Sequence, residues 1–358
     1  MSAISAVVGA VEHSDFSRLP MRPLVSVLML TYRHEAYLAE AIEGVLAQRV
    51  DFPIELIVAD DGSRDGSLEI ALRFHHERPD VVRIVTGLEN VGARANRRRA
   101  STYVRGEFLA FCEGDDYWTD SQKLQKQVDW LRANPAAGAV HTDFDHLIRI
   151  AGSWRVLRNF LTYRFAAVVP HGNVYSDLLR GNFIQTCTLC VRSAIYRTFL
   201  AEFLKDSYPV VDWPLSIFVA AQYPIGYINQ SAAVYRRVPG SIMNSGPSAR
   251  SRMIEAQIDM MEDICDRMNV MARERIEALR NLYRHLMSTS LFAGDEAGLD
   301  KAIAWLKRND PQFASAWRRR VLPIVAKIPL VPWFLAKVQD LRERIIERRR
   351  YRLITTHT

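Results

Sequence analysis

The chain has 358 residues, 49% of them apolar and 24% charged, which suffices for one large core or two modest ones. It has no apolar run of the roughly eighteen residues that a spanning helix needs, and its four cysteines are too few for a disulfide scaffold. The net charge of +7 is localised: residues 318–358 carry eleven Lys/Arg against three Asp/Glu, whereas the preceding 317 carry 36 against 37. Basicity therefore belongs to the tail, and a nucleic-acid partner is not expected.

Met1 to Arg22 lacks a basic segment followed by an apolar one, so secretion is not expected, and residues 1–22 read as a flexible leader. Leu24–Thr31 is a strong first strand. A helix follows with Tyr37, Leu38, Ala41, Ile42, Val45 and Leu46 on one stripe. Ile54–Val58 is the second strand, and a helix from about Asp65 carries Leu68, Ala71 and Leu72 inward. Arg83–Thr86 is the third strand, and a helix over 93–103 leads to the fourth at Phe108–Cys112. Four strands alternating with helices make a Rossmann-like half-domain.

Further on, Lys123–Arg132 reads as a helix, Gly138–Thr142 and Phe183–Val191 as strands, and Trp213–Gln222 as a helix. The α/β region ends near Gly246-Pro247, and the pattern is helical from Ser248 to about Arg284. In the last residues, Val338, Leu341, Ile345 and Ile346 form an apolar stripe beside Arg342, Arg344, Arg348, Arg349 and Arg350. A cationic amphipathic helix of this kind suits an anionic membrane surface; packing on its own domain is the alternative.

Two acidic clusters stand where strands end: Asp60-Asp61-Gly62-Ser63, and Glu113-Gly114-Asp115-Asp116. Ligands of open α/β sheets bind beyond the carboxyl ends of strands. No glycine-rich phosphate loop follows the first strand; Thr31-Tyr32-Arg33-His34 stands there instead. An aromatic ring and hydroxyls suit a nucleobase, and Asp61 suits its imino N–H. Asp60 and Asp61 read equally well as a turn and helix cap. Glu113, Asp115 and Asp116 offer hard oxygen ligands to Mg²⁺ or Mn²⁺, with a solvated acidic turn as the alternative. Cys187 and Cys190 have the spacing of a metal or redox pair, but they lie in an apolar run and read as buried thiols. His171 is a weaker candidate for the acceptor pocket.

In this order the motifs resemble glycosyltransferase family 2. Val27–Tyr32 looks like its opening strand, Asp60-Asp61-Gly62-Ser63-Arg64-Asp65 like its Asp-Gly-Ser turn, and Glu113–Trp118 like its Asp-x-Asp-Asp motif. Asn90-Val91-Gly92, Asn96 and Gly106-Glu107 keep the intervening spacing. The resemblance implies a GT-A fold, a Rossmann-like nucleotide-binding half plus an acceptor half, over residues 23–245. A helical region over 246–316 and a basic amphipathic tail over 317–358 complete the expected organisation.

The resemblance also implies roles. Thr31, Tyr32 and Asp61 would hold the nucleoside, with Glu113 standing where the family has an Asp. Asp115 would ligate Mn²⁺ or Mg²⁺, with Asp116 as a second carboxylate. Arg94 is a candidate diphosphate contact; alternatively it shares a solvated helix face with Arg97, Arg98 and Arg99. Asp212, just before a later helix, matches the catalytic base; a helix N-cap is the plainer role, and the two are compatible. Tyr235–Ser241 resembles the closing segment, with Val238 in place of the family's His.

The implied activity is inverting transfer from a nucleoside-diphosphate sugar, UDP-linked by family frequency, to a saccharide or lipid-linked acceptor in bacterial surface-polysaccharide or glycolipid assembly. The expected location is cytoplasmic, with the tail at the inner face of the membrane. A sugar nucleotidyltransferase and a non-catalytic carbohydrate-binding protein on the same fold are the rival readings.

Overall fold

The computed structural model describes residues 10–150, 153–166, 168–238 and 246–315. In chain order its first elements are β1 (Ala10–His13), β2 (Val25–Thr31), α1 (Leu38–Leu46), β3 (Ile54–Asp60), α2 (Ser67–Glu77), β4 (Val82–Gly87), α3 (Ala93–Ser101) and β5 (Phe108–Phe111). Strands β4, β3, β2 and β5 lie side by side and parallel. Every residue of the four is buried, because helices cover both faces and no polar side is needed. The chain moves outward from β2 to β4, then returns to place β5 on the other flank of β2. That reversal is the switch point at which such sheets open a crevice.

The second half continues the same sheet through β6 (Tyr117–Trp118), α4 (Lys123–Ala133), β7 (Ala139–Ile150), β8 (Ser153–Leu157), α5 (Phe160–Arg164), α6 (Tyr175–Arg180), β9 (Cys190–Arg192), α7 (Ser193–Thr198), α8 (Asp212–Ala220) and β10 (Ile225–Arg236). The order runs β1-β4-β3-β2-β5-β9-β7-β10-β6, with β8 on β7, ten strands among the described residues. Strand β10 pairs antiparallel with β6, Ala233 opposite Trp118, which brings its end against the acidic turn after β5. Three helices follow: α9 (Pro247–Arg267), α10 (Ala272–Ala293) and α11 (Glu296–Asn309).

Several expectations are corrected. The leader is not all flexible: Ala10–His13 is an edge strand on β4, and Glu12 pairs with Arg83 at 2.7 Å. The strand expected over 183–191 is a 3₁₀ turn at Thr186–Thr188 and a short strand at Cys190–Arg192. Side chains consume the carbonyls there: Trp118 donates to Cys187 O at 2.8 Å and Gln127 to Thr188 O at 2.8 Å. The helical pattern expected over 248–284 is carried by two helices, separated where Asn269 turns left-handed. Buried residues of α2 include Phe74, which lies beyond the stripe read from sequence. The tail from 317 onward, with its apolar stripe, lies outside the described residues, as do Pro239–Ser241.

Beneath the sheet lies a buried polar knot. Glu55 on β3 is fully buried and accepts from Ser26 Oγ (2.6 Å), Arg83 (2.7 Å) and Arg105 Nε (2.8 Å). Strands β2, β3 and β4 and the β5 approach thus meet on one carboxylate. Breaking such a cluster from one side leaves a buried charge unpaired. Glu55→Ala is therefore expected to destabilise the fold by roughly 3–5 kcal/mol, read as a lower urea midpoint at unchanged slope.

Candidate active site

The site is built where β2, β3 and β5 end. Thr31 closes β2 opposite Asp60 on β3, and the Gly114 amide donates to Leu30 O at 2.9 Å, so the acidic turn runs directly beside the loop after β2. Gly114 permits that approach: a Cβ there would lie 2.9 Å from His34 Nδ1 and 3.0 Å from Thr31 Oγ1. Both of those buried atoms lack a protein partner, as do Asp60 Oδ1 and Glu113 Oε2. Four buried polar atoms thus go without a protein partner where β2, β3 and β5 end, a concentration that an ion or water would relieve.

The first acidic pair divides its duties. Asp60 accepts from the Ser63 amide (3.2 Å) and Thr86 Oγ1 (2.9 Å), forming the turn. Asp61 accepts from the Val91 and Gly92 amides at 3.0 and 2.9 Å, joining the β3 turn to the loop before α3. Gly62 is left-handed, and a Cβ there would strike Glu89's carbonyl carbon at 2.7 Å, so only glycine fits between these loops. Tyr32 is half-buried with the Arg33 guanidinium 5.2 Å from its ring.

In the second cluster the carboxylates face different ways. Asp116, only 2% exposed, accepts from the Arg236 amide at 2.8 Å and lies beside Cys187, fastening β10 to the turn. Burial and the neighbouring Asp115 and Glu113 push its carboxyl well up. Asp115 has 22% of its side chain exposed and sits 4.0 Å from His34 Nε2. Burial lowers the His34 pKa against the pull of Asp115, which keeps the ring neutral. Arg236 clamps the turn from above: it donates to Asp115 O at 2.8 Å, pairs with Glu40, and lies between the rings of Tyr37 and Tyr117.

Helix α3 was open to reading as a solvated arginine face, and it is not one. Arg97 and Arg99 are buried. Arg97 donates to Glu113 at 2.9 Å, and its charge also bears on Asp212; Arg99 donates to Asp60 O at 2.8 Å. Arg94, expected at a diphosphate, donates to Tyr208 O in the segment leading to Asp212. Asp212 itself is half-buried in the first turn of α8 and is not the residue preceding the helix. Burial pushes its carboxyl above the ordinary aspartate range; the Trp213 amide, Arg97 and the Asn182 amide nitrogen (2.9 Å) oppose that. Tyr235 stands among Asp116, Asp115 and Asp212, and burial together with these carboxylates raises its hydroxyl.

Thus Thr31, Asp61 and Asp115 lie at neighbouring strand ends, Arg97 links Glu113 to Asp212, Arg94 and Asp116 brace the walls, and Val238 is buried. His34, Arg97, Asn182 and Tyr235 were missed as site residues. His34 lies in the strand-end loop already singled out, so its place was readable; Asn182 carries no such signal. His171 is exposed and bonds Val169 O. All four cysteines are buried and free.

The donor set suits a hard divalent ion. Among the described residues no three His, Cys, Asp or Glu side chains form a ready-made cage. Mg²⁺ and Mn²⁺ do not need one, since one or two carboxylates and substrate oxygens complete the shell. Asp115, partly exposed on the acidic turn, is the carboxylate that could hold such an ion.

Residues 26–199 match the family model "Glycosyl transferase family 2". An uncharacterized glycosyltransferase of Nostoc sp. is 32% identical over 242 residues, 65% of this chain and 70% of that protein. The chain belongs to glycosyltransferase family 2. An uncharacterized Mycobacterium tuberculosis protein is 33% identical over 250 residues, 65% of this chain; the match spans 64% of that relative's length. The Escherichia coli UDP-Glc:α-D-GlcNAc-diphosphoundecaprenol β-1,3-glucosyltransferase WfgD is 27% identical over 256 residues, covering 70% and 89% of the two chains. Among solved structures, the Pyrobaculum calidifontis mannosyltransferase PcManGT, in complex with GDP-Man and Mn²⁺, superposes with a TM-score of 0.54 at 18% identity, covering 89% and 87%. The fold is GT-A with a helical C-terminal extension.

The Arg97 charge yields a prediction independent of substrate identity. Removing it in Arg97→Gln leaves Asp212 with burial less opposed, so its carboxyl rises further. If the ionised form is the active one, the acidic limb of kcat/KM is expected to move to higher pH in this variant. An unmoved limb would detach Arg97 from Asp212.

Proposed function

We propose that this chain is an inverting, metal-dependent glycosyltransferase that moves a sugar from a nucleoside-diphosphate sugar to an acceptor hydroxyl. The observation that carries the reading is the placement of Asp212. A half-buried carboxylate with an upshifted pKa is held by Asn182 and the start of α8, with Tyr235 between it and the acidic strand-end turn.

In this mechanism the nucleoside lies over Thr31 and Tyr32, with Asp61 and the 88–92 loop as the wall. Asp115 would hold a divalent ion, which when bound would offset the charge growing on the departing diphosphate. Asp212 accepts the proton of the acceptor hydroxyl as its oxygen attacks C1 from the face opposite the leaving group, so the anomeric configuration inverts. The raised pKa strengthens Asp212 as a base near neutral pH. Arg97 limits that rise while neutralising Glu113.

WfgD acts on a diphosphoundecaprenol-linked sugar with UDP-Glc, which supports a lipid-linked acceptor and a role in bacterial surface-polysaccharide or glycolipid assembly. In that setting the chain would work in the cytoplasm at the inner membrane face. WfgD's UDP-Glc and PcManGT's GDP-Man differ in nucleotide; UDP is the donor we infer. Thermal stabilisation by UDP, GDP, dTDP and CMP with Mn²⁺ tests this by mass action, with UDP expected to give the largest shift.

Two substitutions separate binding from chemistry. Asp212→Asn is expected to keep nucleotide affinity while turnover falls by roughly 10²–10⁴; equal turnover would remove Asp212 as the base. Asp115→Asn is expected to abolish transfer, and EDTA to silence the wild type. Full activity of either would overturn the metal assignment.

A further inference from the structure

Strand β7 runs past its last pairing with β10, at Leu147, and continues with β8 alone as a projecting hairpin. It is antiparallel to β9, which is antiparallel to β5, so its carboxyl end leaves the sheet on the side of Glu113 and Asp115. At its root His146 stacks on Tyr235, the ring that borders Asp115 and Asp212. The hairpin therefore rises beside the site.

Its surface is unusual. Ser153 to Val156 are all exposed, Trp154 by 39% and Val156 by 42%, and the following segment exposes Tyr163 (40%) and Val168 (78%). Residues 146–176 contain four arginines and no acidic residue. The flanking acids are engaged elsewhere: Asp143 accepts from the Leu161 and Thr162 amides, Asp145 from Asn159 N and Ser231 Oγ, and Asp177 pairs with Arg180. What projects is cationic and apolar together, with Arg155 and Arg158 exposed beside Trp154 and Val156.

We propose that this hairpin docks on an anionic lipid bilayer surface. Indole and phenol rings favour the headgroup level, arginines favour its negative potential, and valines gain from the acyl boundary. A polyphosphate would reward the arginines but not the valines, and a second copy would set like charges face to face. On the transferase reading, docking brings the acceptor side of the site to the membrane, where a lipid-linked acceptor resides. The docking is tested without reference to catalysis.

The full chain carrying Trp154→Cys is labelled with an environment-sensitive fluorophore, the native cysteines being buried. The label is expected to shift to the blue with phosphatidylglycerol vesicles at low salt, and not with phosphatidylcholine. Adding Arg155→Glu and Arg158→Glu is expected to weaken partitioning by about tenfold or more, with unchanged far-UV circular dichroism. An unshifted label on protein that sediments with the vesicles would overturn the proposal, since another region would then be the anchor. A shift that grows with protein concentration in the absence of vesicles would overturn it in favour of self-association. Nucleotide-induced thermal stabilisation of the same labelled protein reports separately on the transferase reading.

Discussion

The buried guanidinium of Arg97 is the charge against which the carboxylates of the site are set. Acids crowd the ends of β3 and β5, and burial raises those of Glu113, Asp116 and Asp212. Without a cation inside the wall, like charges at the mouth of a sheet would protonate or repel. Arg97 meets Glu113 directly and reaches Asp212 through its field. One residue of α3 thereby links the strand-end turn to the first turn of α8, elements far apart in sequence. The carboxylate it does not meet, that of Asp115, keeps part of its side chain exposed.

Arg236 does the complementary work from outside. Its amide and guanidinium grip Asp116, Asp115 O and Glu40, and two tyrosine rings sandwich it. The family's closing segment is thereby tied to the opening helix as well as to the acidic turn. Arg236 stands two residues before Val238, which replaces the histidine of the resembling segment. The Arg236 donors are committed to the protein, a finding that bears on wall rigidity more than on ligand contact.

The parallel half was legible because its strands are continuous apolar runs closed by turn residues, and burial on both faces leaves no other pattern. The stripe of α1 was legible for the same reason: Leu38, Ala41, Ile42 and Val45 are buried as the period requires. The second half was harder. Strand β10 alternates irregularly because its register slips between Ile228 and Val234, and the hairpin strand β8 has no buried face to mark it. Edge strand β1 depends on Arg83 meeting Glu12 across the sheet, which no local window shows. Among site residues, carboxylates next to glycine at strand ends announced themselves. Arg97 did not, because a run of arginines on a helix reads as solvated until the fold turns one face inward.

The C-terminal helices, which sequence presents as an appendage, also turn a face inward. Tyr208, four residues before Asp212, donates its hydroxyl to Asp263 on α9 at 2.6 Å and accepts from Arg267 at 3.0 Å, while its carbonyl takes the Arg94 guanidinium. The segment that carries the proposed base is thus held on one side by the nucleotide half and on the other by the extension. A general base tolerates little misplacement, since proton transfer demands hydrogen-bond reach. The physical case for the extension is therefore local: α9 supplies the second wall against which the approach to α8 is fixed. A chain cut before Pro247 would lose that wall while keeping every residue of the acidic turn.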